Sequence, residues 1–157
     1  MNRTLLPSSA AAALLTLAVA GATTAPAAAS PRVPFKASDS GSAEVVGSSG
    51  DVIRTKDVGV GHGTHVGRYT LLGAETINVV TGAITEGSFT LTAANGDTLS
   101  GTYSGEALPG LTGYTVTGPV TGGTGRFAGV SGSLRFDGVF DPATLQLSDR
   151  ISGTLVW

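Results

Sequence analysis

Beyond residue 30, apolar side chains recur at alternate positions in short runs, separated by glycine, proline, asparagine and aspartate. A period of two marks a strand with one buried face, and the residues between the runs are turn formers. Val33 and Phe35 alternate, as do Ala43 and Val45, which predicts a first strand over residues 31–51 with a break at Asp39-Ser40-Gly41. A second strand is expected over residues 52–60, and a third from Thr64 to about Val80, bent at Gly73. Residues 83–105 read as a hairpin around Asn95-Gly96-Asp97, with Phe89, Leu91 and Ala93 on one face and Leu99 and Tyr103 on the same face after the turn. Pairing Ala93 with Leu99 and Phe89 with Tyr103 keeps that face single, whereas a two-residue loop mixes apolar with polar, so a loop of three residues or a bulge is expected. Three more strands follow, over residues 113–120, 131–140 and 145–157.

The pattern predicts an all-β protein, a single small closed antiparallel β-barrel of about eight strands. Composition agrees with it. Glycine supplies 24 of 157 residues, about twice the usual share, as many turns require. There is no cysteine, so the core holds the fold without disulfides.

The first 29 residues differ in kind. Arg3 is their one charge, an apolar run passes through Leu5, Leu6, Leu14, Leu15, Leu17 and Val19, and Ala27-Ala28-Ala29 provides a small-residue cleavage site. Residues 1–29 are therefore expected to be a secretory signal peptide and residues 30–157 the barrel domain, secreted to the extracellular medium. No second apolar run would hold the cleaved chain in a membrane. The formal net charge of −2 becomes one unit more negative when Arg3 leaves. With no Lys/Arg cluster, that balance argues against a nucleic-acid partner.

Two motifs imitate well-known chemistry. Gly123, Gly125 and Ala128 fit G-x-G-x-x-A, but the dinucleotide turn needs a helix after its glycines, and the stretch from Ser131 to Phe140 has strand periodicity instead. Gly61-His62-Gly63-Thr64-His65-Val66-Gly67 imitates the catalytic-histidine segment of subtilisin-like proteases, yet no nucleophile segment accompanies it. His62 and His65 are three residues apart, on opposite faces of an extended strand, and no third ligand is evident. No metal or other cofactor is expected.

The stretch Gly122-Gly123-Thr124-Gly125-Arg126-Phe127-Ala128-Gly129-Val130-Ser131-Gly132, with Thr64-His65-Val66-Gly67-Arg68 and Ala93-Ala94-Asn95-Gly96-Asp97, resembles the allene oxide cyclase and dirigent-like superfamily, in particular bacterial secreted members of uncharacterised activity. In that superfamily the glycine-rich signature joins two strands of a β-barrel. The resemblance implies a substrate held in the barrel and a homo-oligomer, often a trimer. Its plant members cyclise an epoxide or guide phenoxy-radical coupling. The cyclase's acidic residue and cysteine have no counterpart here, so no catalytic residue is carried over.

Several polar residues within predicted strands could carry chemistry. Asp149 shares parity with Leu147 and Ile151. It either faces the lumen, where an inward Arg68 could pair with it, or is turned outward with Arg150 by a strand end or bulge. Asp149, Glu44 and His65 are the candidates for a catalytic acid or base, and Arg68, Tyr103 and Phe127 for ligand contacts. Glu75 and Asp137 are further polar positions inside strands. Three functions stay open: an exported barrel that holds a small apolar ligand without catalysis, a cyclase, isomerase or dirigent-like guide acting on a small apolar metabolite, and a self-associating extracellular structural protein.

Overall fold

The computed structural model describes residues 30–157, and the predicted signal peptide lies outside them. Eight strands follow one another in an antiparallel meander: β1 (Arg32–Ser49), β2 (Val52–Gly63), β3 (Gly67–Asn78), β4 (Ala83–Ala93), β5 (Thr98–Ala107), β6 (Gly113–Gly123), β7 (Ser131–Asp141) and β8 (Gln146–Val156). β1 pairs with β8 from Arg32↔Val156 to Ser42↔Gln146, so the sheet closes into a barrel in the order of the sequence. Closure leaves no unpaired edge.

β1 runs unbroken where a break was expected. Asp39 is paired on both sides, with Gly61 of β2 and Asp149 of β8. The irregularity lies further on, a bulge between Val45 and Gly47. β3 starts later than the pattern suggests, because His65 (φ 64°) and Gly67 (φ 68°) make the preceding turn.

The hairpin of β4 and β5 keeps its single buried face in a different register. Its loop has three residues, 94–96, with Gly96 at φ 88° and the Ala93 N–H donating to the Asp97 carbonyl at 2.8 Å. Leu91 consequently faces Leu99, Phe89 faces Gly101, and Gly87 faces Tyr103 beyond a bulge. Each large ring thus sits opposite a glycine; a methyl group at Gly87 would run into the Tyr103 ring, and one at Gly101 into Phe89. Directly opposed Phe89 and Tyr103 would crowd one another, whereas diagonally they stack with centroids 6.4 Å apart.

The two ends of the barrel are built differently. At the end carrying the 63–67, 94–97 and 124–130 turns, the lumen is filled by Phe35, Leu91, Leu99, Phe127 and Leu155, all fully buried, with Val66 and Val130 beside them. The glycine-rich signature makes the β6–β7 connection here as one short 3-10 turn, Gly125–Phe127, which drops the Phe127 ring into the barrel as a plug. Arg126 stays outside. Its guanidinium donates to the Val66 carbonyl at 3.0 Å, and its own carbonyl accepts from the Trp157 indole at 3.0 Å.

Removing the plug should weaken the whole barrel. Truncating a buried phenylalanine costs about 3–5 kcal/mol. Phe127→Ala should therefore lower the unfolding free energy by that order in urea denaturation followed by tryptophan fluorescence, with little change in the slope. A change well below about 1 kcal/mol would mean that the closed end does not depend on the plug.

Candidate functional site

The inner face is apolar at the closed end and carries acids further up. Asp39 on β1, Asp57 on β2, Glu75 on β3 and Asp149 on β8 all point inward, with Tyr69 on β3, Tyr103 on β5 and Tyr114 on β6 among them. Each tyrosine donates its hydroxyl proton to one acid. Tyr69 bonds Asp39 Oδ2 at 2.7 Å, Tyr114 bonds Asp149 Oδ1 at 2.7 Å, and Tyr103 bonds Glu75 Oε2. Glycine makes the room for this. A side chain at Gly138 would meet both the Tyr114 ring and the Asp149 carboxyl, and one at Gly73 would press on Asp57.

Above the acids the lumen is open. A cavity of ≈190 Å³ occupies the end that carries the β1–β2, β3–β4, β5–β6 and β7–β8 turns. Its walls are Ile53, Ile77, Ile84, Ala107, Phe140 and Leu147, with Leu111, Pro142 and Leu145 around it, and its polar groups are Thr55, Asp57, Glu75 and Tyr114. Beside Asp57, Tyr103, Tyr114 and Asp149 lies a second space of ≈10 Å³, about the size that one water molecule needs.

No cation balances these acids. Every lysine, arginine and histidine among the described residues is exposed. Burial therefore holds the carboxyls protonated well above their ordinary range. It pushes Asp57 up to about 7, helped by the neighbouring charges of Glu75 and Asp149. Asp149 also rises to about 7, through burial opposed by its bond from Tyr114 and helped by Asp39, which faces it across the β1–β8 ladder. Asp39 and Glu75 are raised by burial too, each restrained by its tyrosine. Asp39 and Asp149 stand opposite one another on paired strands, and the Oδ1 of Asp39 is buried without a hydrogen-bond partner. The tyrosines rise for the same reason, burial first and then the adjacent acids, so they remain neutral donors.

The structure separates the residues expected at a site. Asp149 faces the lumen, so neither a bulge nor a strand end turns it outward, but it is bonded by Tyr114 and stands opposite Asp39. Arg68 is exposed on the outer face and does not pair with it. Tyr103 belongs to the acid cluster through Glu75. Phe127 is buried at the opposite end from the cavity, and Glu44 is exposed on β1. His62 is exposed on β2, while His65 is exposed in the β2–β3 turn, its Nε2 3.2 Å from the Pro34 carbonyl and its ring edge-on to Trp157. Among the described residues no group of three His, Asp or Glu side chains is placed to hold a metal ion.

Asp39 and Asp57 escaped the sequence reading. Asp39 has the same parity as Phe35 and Ala37, which was a usable signal masked by the expected break. Asp57 was harder, because the inward positions of β2 are Ile53, Thr55, Asp57, Gly59, Gly61 and Gly63, whereas Val58 and Val60 point out at 53% and 64% exposure. Apolar alternation there marks the wrong face.

Comparison with protein-family models, curated proteins and solved structures finds no significant match.

The raised acids set the sign of the pH dependence. Each binds its proton more tightly folded than unfolded, where the ordinary values are 3.8 for aspartate and 4.5 for glutamate. Their contribution is complete below those values and is lost as pH rises through about 7, with every tenfold gain in proton affinity on folding contributing about 1.4 kcal/mol. Exposed Asp137 and Asp141 are shifted down and act oppositely, below their ordinary range. The denaturation midpoint should therefore be higher near pH 5 than near pH 8, and Asp57→Asn should flatten that slope. A wild-type midpoint that rises from pH 5 to pH 8 would contradict the buried, unpaired acids.

Proposed function

We propose that this protein is an exported barrel that holds a small, mainly apolar molecule in the cavity at its open end. The observation that carries this reading is the uneven filling of the lumen. A barrel of eight strands is just wide enough for side chains to fill it. Here the plugged end is filled, while the other encloses ≈190 Å³ between isoleucine, leucine and phenylalanine walls. An apolar cavity of about 150 Å³ takes up benzene, so this one suits a single ring or a short branched chain. The glycine-rich signature and its barrel support a place near the allene oxide cyclase and dirigent-like proteins, and the leader supports export.

A second reading, cyclase or isomerase, draws on one feature of the site. Asp57 lies at the cavity with its carboxyl pushed up to about 7, where an acid can protonate a substrate oxygen near neutral pH. Self-association as a homo-oligomer, a trimer by resemblance, is supported by Val58, Val60 and Leu72, exposed side by side on β2 and β3.

Native mass spectrometry of the protein purified from culture supernatant tests the first reading and counts subunits in the same spectrum. A small molecule should be retained under gentle conditions and lost on denaturation. Ala107→Phe places a ring in the cavity and should abolish both that retention and saturable uptake of cyclohexylmethanol, while the unfolding midpoint stays close to wild type. Uptake that is undiminished in Ala107→Phe, or absent in both proteins, would rule out the cavity as a binding site.

A further inference from the structure

We propose that the polar end of the bound molecule is an ammonium group seated on Asp57, Glu75 and Thr55, so that the cavity takes a small primary amine with an apolar body. This rests on the cavity being a binding site, and it adds the chemical class of the ligand.

The argument is an inventory of donors and acceptors. Four carboxyls face the lumen, and the tyrosine hydroxyls that could serve them are already committed, Tyr69 to Asp39, Tyr103 to Glu75 and Tyr114 to Asp149. Asp57 receives no tyrosine bond, although it lines the cavity. Beside it on β2, Thr55 also lines the cavity, is only 5% exposed, and has no hydrogen-bond partner for its Oγ1. Thr55 faces Glu75 across the ladder, yet its hydroxyl makes no hydrogen bond to that carboxyl or to any other group among the described residues. A buried hydroxyl without a partner is costly, and so is a buried carboxylate without a counter-charge. Both shortages have the same remedy.

An ammonium group carries three N–H donors and one positive charge in a compact head. The cavity's polar end offers it three acceptors, one each from Asp57, Glu75 and Thr55, and the isoleucines above cover the rest of the molecule. A carboxylate ligand would be repelled by the acids. An alcohol brings one donor and no charge. A bare metal ion finds no suitable cluster and would gain nothing from the apolar walls.

The titratable groups lining the seat and the space beside it are Asp57 on β2, Glu75 on β3, Tyr103 on β5, Tyr114 on β6 and Asp149 on β8; Asp39 on β1 and Tyr69 on β3 bond one another outside that lining, and the inner faces of β4 and β7 carry no titratable side chain. Below neutrality the proton on Asp57 competes with the amine, so amine binding should release protons and weaken as the solution is acidified. A neutral ligand has no such reason to weaken.

Cyclohexylmethylamine and cyclohexylmethanol have nearly the same shape and differ in charge. Titration calorimetry of the mature protein should show the amine binding at least about tenfold tighter than the alcohol near pH 8.5, with the preference falling below about threefold near pH 5. Asp57→Asn should erase the preference near pH 8.5, its fold being checked by circular dichroism. Equal binding of the two compounds at both pH values would overturn the ammonium assignment and leave the apolar cavity standing as a binding site. A preference that survives in Asp57→Asn would overturn the assigned seat. Binding of neither compound would overturn the assignment together with the reading on which it rests.

Discussion

The pairing of β1 with β8 is the constraint on which everything else depends. Each strand of an open sheet can leave one face to water, but a closed sheet must place every second residue in one shared interior. That interior is narrow, so its contents are negotiated across strands. Phe89 needs Gly101 opposite, Tyr103 needs Gly87, and Tyr114 needs Gly138. The glycine content is in this sense a packing requirement as much as a matter of turns.

The same closure explains how four acids come to share a lumen with no cation. Asp39 and Asp149 are neighbours only because the first and last strands meet, and Asp57 and Glu75 join them from the next two strands. Buried acids are normally a liability. Three tyrosines, whose rings belong to the apolar interior and whose hydroxyls serve the acids, reduce the cost without removing it. A site that retains an unrelieved cost after folding is poised to respond to whatever enters from the open end, and the cavity is where entry is possible.

The fold was legible because strand periodicity survives in most segments. Phe89, Leu91, Leu99, Leu134, Phe136, Leu147, Ile151 and Leu155 all lie on the faces that alternation assigns. Asp149 could be marked as inward-capable for the same reason. What could not be read were the partners. Arg68 was the natural counter-charge for Asp149 by residue type, but its position after Gly67 sends it outside. β2 concealed its acid because glycine and threonine occupy its inner face while valines ornament the outer one. The hairpin register differs by two residues from the expected one, a shift that leaves every face unchanged and is therefore invisible to alternation; the loop 94–96, closed by Ala93 on Asp97, sets it, and the rings opposite glycines fit it.

The Phe127 plug has a consequence for how such a barrel can diversify. It places most of the tightly packed aromatic and aliphatic contacts at one end, together with the glycine-rich corner that delivers it. Rim residues such as Ala107, Leu111 and Leu145 are therefore partly released from the duty of holding the fold. Drift in sequence should accumulate at the rim and stall at the plugged end, so that descendants of one barrel would come to differ in what they accept long before they differ in how they are built.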